Sequence, residues 1–274
     1  KTIPQYKLIN SNMSMNEFKI IFYWEYFHRI LARIIGLFFL LPLIFFYFSK
    51  KINKKYLNYC FFIFFLIVFQ GIIGWYMVKS GLIHDVTVSH YRLSLHLTTA
   101  IIIISIIFWL LKNINGKNNK VFFKLSKNYA AYQILLLIIF FQIIIGAFVS
   151  GLDAGLIYQT WPMMGETFIP NDINLIELRN VTNFDNHSLV QFYHRILAYV
   201  LTLYIIFLAR SIYKNKLRNL IKPLKILLVI LTLQVFLGIS TLVSGLNLYL
   251  ASAHQIMGVL LVLSAINLYY SNAK

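Results

Sequence analysis

The sequence predicts an all-α fold, a polytopic transmembrane helical protein made of two pseudo-twofold-related bundles, and three observations predict it. The 274 residues are 59% hydrophobic and only 12% charged, with a mean hydropathy of +0.73, whereas soluble domains average roughly 45–50% apolar and about 25% charged. Seven stretches approach or exceed the roughly 20 apolar residues that span a hydrocarbon core. The two halves also share motifs in the same order at a nearly constant offset.

The apolar stretches cover residues 20–48, 59–78, 91–111, 129–149, 189–208, 224–243 and 248–270. Each is expected to be helical, because lipid cannot satisfy an unpaired backbone and no barrel-like alternation is visible. The loops between them set the orientation. Lys50, Lys51, Lys54 and Lys55 fall in one, and Lys112, Lys117, Lys120, Lys124 and Lys127 in another. A third holds Arg210, Lys214, Lys216, Arg218, Lys222 and Lys225. These alternate loops share one side, which the positive-inside rule makes cytoplasmic, or matrix in a mitochondrion. All eight acidic residues lie in or beside the opposite loops. The net charge of +17 is thus a topology signal and implies no nucleic-acid partner. A multi-pass protein of a bacterial cytoplasmic or mitochondrial inner membrane is expected. The single cysteine, Cys60, can build no disulfide or thiolate metal site within one chain. There is no signal peptide, and residue 1 is Lys, so the native start is expected upstream.

The repeat has three anchors. His28-Arg29-Ile30-Leu31-Ala32 recurs as His194-Arg195-Ile196-Leu197-Ala198. Gln70, Gly74 and Ser80-Gly81-Leu82 correspond to Gln234, Gly238 and Ser244-Gly245-Leu246. His96 corresponds to His254. The second half opens on an additional helix holding Gln142 and Gly146, whose counterpart would precede Lys1. A parallel repeat needs an even number of helices per half, so the pattern predicts eight in the full protein. The expected bundles are residues 1–127 and 128–274.

On this topology His28, His96, His194 and His254 all lie within about one to three turns of an outer helix start, at about 1.5 Å rise per residue. Ionisable residues at that depth are costly and mark function. Two imidazoles from facing helices at matched height suit the axial ligation of haem iron. A lone intramembrane histidine usually bonds a neighbouring helix; four at corresponding positions point to ligation instead. Zinc would want cysteine or carboxylate beside them. Arg29 and Arg195, each next to the first histidine of a pair, could meet haem propionates or snorkel to the interface. His84, His90 and His187 read as solvated interfacial residues. Each ligand helix offers one histidine, so two haems would lie side by side near the outer face rather than form a wire across the bilayer.

Glu25 breaks the symmetry. It precedes His28 by one helical turn, on the same face, and its counterpart is Gln191. Burial near iron would suit a carboxylate to proton transfer; pairing with Arg29 or Arg33 is the competing reading.

The run from Asn16 to Phe22, then Glu25-Tyr26-Phe27-His28-Arg29, resembles the start of the second helix in haem A synthases of the mitochondrial and alphaproteobacterial type. Further matching runs are Gly74–Leu82, Val88-Ser89-His90-Tyr91-Arg92-Leu93, Gly146-Ala147-Phe148-Val149, Gly151-Leu152-Asp153-Ala154-Gly155, Thr160-Trp161-Pro162-Met163-Met164 and Ala253-His254-Gln255. They extend over essentially the whole chain.

The resemblance implies eight helices and oxidation of the C8 methyl of haem O, through a hydroxymethyl and a gem-diol, to the formyl of haem A for oxidase assembly. It makes His194 and His254 ligands of a resident haem B, His28 and His96 the substrate-haem site, and Glu25 the important acidic position. Haem O synthase and oxidase assembly factors are the implied partners, and a homo-oligomer is compatible with it. The chain departs from the family at Ala32, where Gly usually precedes Arg33, in its missing first helix, and in lacking the outer cysteine pair of some bacterial relatives. The residues alone also admit a dihaem electron-transfer cytochrome or a membrane haem carrier without haem chemistry.

Overall fold

The computed structural model describes residues 11–81, 88–117, 120–123, 126–173 and 182–273. Seven long helices form among them: α1 (Met15–Ser49), α2 (Lys54–Gly81), α3 (His90–Asn115), α4 (Lys127–Gly151), α5 (His187–Lys214), α6 (Arg218–Val243) and α7 (Leu248–Asn272), with a short 3₁₀ turn at Ala154–Leu156. Every expected stretch lies inside one helix. The helices run past the apolar stretches because polar flanks continue the backbone ladder into the interfacial layers, where hydropathy no longer reports it. All seven are long and apolar enough to cross a membrane. Large side chains such as Trp24, Phe38 and Phe236 point outward, as lipid-facing surfaces require.

Four helix starts carry side-chain caps, the one on α2 being Asn53 Oδ1, which accepts from Lys55 N–H at 2.9 Å. Ser14 and Glu17 form a reciprocal capping box on α1, with Ser14 N–H donating to Glu17 Oε2 at 2.8 Å. Asn186 Oδ1 accepts from Leu189 N–H at 3.0 Å on α5, and Asn247 Oδ1 accepts from Tyr249 and Leu250 N–H on α7. The last two caps fix where the helices bearing His194 and His254 begin.

Packing divides the chain into two compact units, 1–103 and 104–274. The division falls within α3, whereas the repeat places the join between bundles at 127/128. The reason is local. Trp109, on the inner end of α3, packs on Phe122, Tyr269 and Tyr270 and donates to the Lys120 carbonyl at 3.0 Å.

In the first unit, α1 meets α2 along its C-terminal half, where Phe39 stacks on Phe64 and Tyr47 lies edge-on to Phe61. Leu43 and Ile63 are buried there. α2 meets α3 near its outer end, with Arg92 over the Tyr76 ring at 5.1 Å.

In the second unit, α4 to α7 close on a core that includes Leu135, Ile205, Leu224, Leu227 and Leu268. Two buried-end hydrogen bonds tie it crosswise: Tyr204 Oη donates to the Ala131 carbonyl at 2.8 Å, and Gln133 Nε2 donates to Tyr269 Oη at 3.1 Å. At its inner end, Lys120 Nζ donates to the Tyr270 carbonyl at 3.1 Å, satisfying an orphan group in the last turn of α7.

Candidate functional site

Three of the four expected ligand histidines are seated in the same way. His96 on α3 faces α2, where Gln70 Nε2 lies 3.4 Å from its ring Nε2 and donates to its backbone oxygen at 2.9 Å. His194 on α5 faces α4, where Gln142 Nε2 lies 3.2 and 3.3 Å from the two ring nitrogens and donates to the backbone oxygen at 3.1 Å. His254 on α7 faces α6, where Gln234 Nε2 lies 3.4 Å from ring Nε2, and ring Nδ1 lies 3.1 Å from the Gln234 carbonyl. One turn beyond each glutamine stands a glycine. A Cβ on Gly74, Gly146 or Gly238 would come within 2.9, 3.0 and 2.9 Å of the Cε1 atom of His96, His194 and His254 respectively. Each imidazole therefore rests edge-on against bare backbone.

Each unit carries two of the expected ligand histidines, His28 and His96 in the first and His194 and His254 in the second. His28 is exposed on α1, while His96, His194 and His254 are half-buried. Among the described residues no group of three or more His, Cys, Asp or Glu side chains gathers to hold a metal ion. The candidate donors of each unit are two imidazoles, and that donor chemistry suits haem iron with two nitrogen axial ligands.

Above the second pair the loop after α4 is fastened down. Asp153 and the 3₁₀ turn reverse the chain, and Gly155 makes room for Leu246 from the α6–α7 turn, whose Cδ2 would lie 2.8 Å from a Cβ at that position. Gln191 Nε2 and Arg195 Nη2 both donate to the Tyr158 carbonyl, at 2.8 and 2.9 Å, and Arg195 Nη1 donates to the Met163 carbonyl at 3.2 Å. Asp172 accepts from Tyr158 Oη at 2.7 Å and from Ser188 Oγ at 2.6 Å. Partial burial pushes the Asp172 carboxyl up, but the hydrogen bonds from Ser188 and Tyr158 outweigh it and hold the group below its ordinary range. The same Asp172 contact pushes the Tyr158 hydroxyl up.

The first pair has different surroundings. Glu25 pairs with Arg29 at 3.5 Å, and both side chains are exposed, at 61% and 43%. The ion pair with Arg29 that the sequence admits for Glu25 is present. His90 departs from expectation. It is 7% exposed rather than solvated, tucked against the Tyr91 ring with centroids 4.0 Å apart. His187 is exposed at the start of α5, and His84 lies outside the described residues.

The COX15-CtaA family model, cytochrome oxidase assembly protein, matches residues 1–266. The chain belongs to the cytochrome oxidase assembly protein family. It is similar to the Heme A synthase of Pelagibacter ubique, 46% identical over 276 residues that cover 100% of this chain and 80% of that protein. The Heme A synthase of Wolbachia pipientis wMel is 40% identical, with 94% and 72% of the two chains covered. That of Agrobacterium fabrum is 39% identical, with 96% and 72% covered.

Sequence reasoning used the glutamines and glycines of this cytochrome oxidase assembly family member only as repeat markers. Their contact with the histidines was signalled by spacing: Gln-x-x-x-Gly occurs three times in the chain, at 70/74, 142/146 and 234/238, and each occurrence meets a histidine. The Tyr158, Asp172 and Ser188 contacts carry no such signal, since they join positions far apart on a loop.

Proposed function

We propose that this protein is a haem A synthase, which oxidises the C8 methyl of haem O to a formyl group for cytochrome c oxidase. The oxidation proceeds through a hydroxymethyl and a gem-diol that loses water. The observation that carries this reading is the similarity of the chain over its length to proteins named Heme A synthase, with two candidate ligand histidines in each of its two units.

His194 and His254 would hold a resident haem B, which supplies one-electron transfer when bound. The loop clamped by Gln191, Arg195 and Asp172 supports this assignment, because a fastened cover suits a group that stays. His28 and His96 would receive haem O, in the bundle assigned to residues 1–127, with the cofactor bundle at 128–274. Glu25, one turn from His28, would accept protons from the substrate carbon or orient it, with Arg29 holding its charge until substrate arrives. Arg29 is free to turn to a propionate on leaving Glu25; Arg195 could reach one only with the N–H groups not given to the loop. The membrane would be a bacterial cytoplasmic or mitochondrial inner one, with both sites on the side away from the basic loops. A haem O synthase would supply the substrate and oxidase assembly would consume the product.

The test is pigment extraction from membranes of cells that make haem O but no haem A, with and without this chain. Haem A should appear only with it. Bound haem B with unmodified haem O would instead favour an electron-transfer cytochrome, or a haem carrier.

A further inference from the structure

We propose that each Gln-x-x-x-Gly step is a positioning device for the axial imidazole facing it, with Gln70, Gln142 and Gln234 as positioning residues for His96, His194 and His254. This rests on the proposed haem-ligand role of those histidines. Three independent helix pairs, α2/α3, α4/α5 and α6/α7, arrive at one arrangement. The glycine removes the side chain that would collide with ring Cε1, so the imidazole settles against the neighbouring helix. The glutamine, one turn away on the same face, limits what the ring can then do.

Two restraints act together. At His96 and His194 the amide also donates to the histidine's own backbone oxygen, so the ring and the turn that carries it are fixed by one group. That bond settles the amide's orientation too, since a carbonyl oxygen turned toward a carbonyl would repel it. At His254 the main chain adds a second restraint beside the amide. The Gln234 carbonyl can only accept, so Nδ1 carries the proton and Nε2 keeps its lone pair. The Gln234 amide nitrogen faces that lone pair at 3.4 Å. The arrangement thus restricts rotation of each ring. The amide oxygens of Gln70, Gln142 and Gln234 are all buried without a hydrogen-bond partner among the described residues. A group left unsatisfied at three equivalent places is tolerated where the other end of the same side chain is needed.

Outer-sphere partners of metal-bound histidine typically account for about 10- to 100-fold in affinity. The experiment uses the full chain purified in detergent with its resident haem. Gln142→Met and Gln234→Met keep side-chain length and remove the donor, and Gln133→Met removes an equivalent amide on α4 that bonds Tyr269 instead. Haem transfer to apomyoglobin and the low-spin electron paramagnetic resonance spectrum are recorded for each. The Gln142 and Gln234 variants should lose haem about 10- to 100-fold more readily, with shifted or broadened low-spin g-values, while Gln133→Met behaves as the parent. If the methionine variants do not fold, Gln234→Glu retains the packing and again lacks the donor, and the same changes are expected. Unchanged haem retention and g-values in folded Gln142 and Gln234 variants would overturn the inference alone. A parent protein with no low-spin bis-imidazole signal would overturn the ligand assignment and this inference with it.

Discussion

Arg195 Nη2 donates to the backbone oxygen of Tyr158 at 2.9 Å. Gln191, one turn earlier on α5, donates to that same oxygen at 2.8 Å. Their counterparts in the repeat, Glu25 and Arg29, bond to each other instead. An amide can donate to a carbonyl, as Gln191 does, whereas a carboxylate can only accept, as Glu25 does from Arg29.

Gln191→Glu should therefore convert the second site toward the first. Gln191 is 3% exposed, and a carboxylate there has no donor to offer Tyr158. Leaving that carbonyl and the new acid poorly satisfied costs about 1–3 kcal/mol, partly offset if Arg195 turns to the acid. Hydrogen exchange should report faster opening of residues 157–170 in the variant. Parent-like protection of that loop would mean the clamp does not depend on the amide.

Gly71 and Gly74 sit one turn apart on α2, yet an alanine should act differently at each. A Cβ at Gly71 meets nothing within 4 Å, while one at Gly74 lies 2.9 Å from His96 Cε1. Gly71→Ala should be neutral or stabilising by up to about 1 kcal/mol through helix propensity. Gly74→Ala should cost about 1–3 kcal/mol by overpacking, or displace the His96 ring. Thermal unfolding in detergent compares the two, and equal midpoints would contradict the close seating of His96.

Acid should loosen the outer loop. The folded Asp172 carboxyl titrates below its ordinary value of 3.8, so its contribution is complete above that value and is lost as pH falls through the depressed folded one. Exchange protection around Tyr158 and Ser188 should hold at neutral pH and decline only in strongly acidic buffer. Asp172→Ala should show the unprotected pattern at every pH. A loop equally protected in parent and variant at neutral pH would rule this link out.

Glu25→Ala should stop haem A formation while leaving the haem B spectrum intact, because Glu25 lies on α1 and the proposed resident ligands lie on α5 and α7. Glu25→Gln keeps the shape but not the charge or proton, and should be similarly inactive. His254→Ala should remove the resident haem. Normal haem A output from Glu25→Ala would deny that residue a catalytic role, and a full low-spin spectrum in His254→Ala would reverse the assignment of the halves.

The sequence by itself determined the helices, because each is a long apolar run in a chain whose only compatible solvent is lipid. It also placed His28 and His96 at positions equivalent to His194 and His254, because the repeat carries the same motifs in the same order. Tertiary structure alone decided what surrounds them. The glutamine amide reaches its imidazole across a helix interface, from a position 20 to 52 residues away in the chain, and sequence periodicity describes one helix face at a time. His90 is buried, Glu25 is exposed beside Arg29, and Arg195 holds a loop carbonyl. Each follows from which neighbour a side chain meets in space, and hydropathy is silent on that.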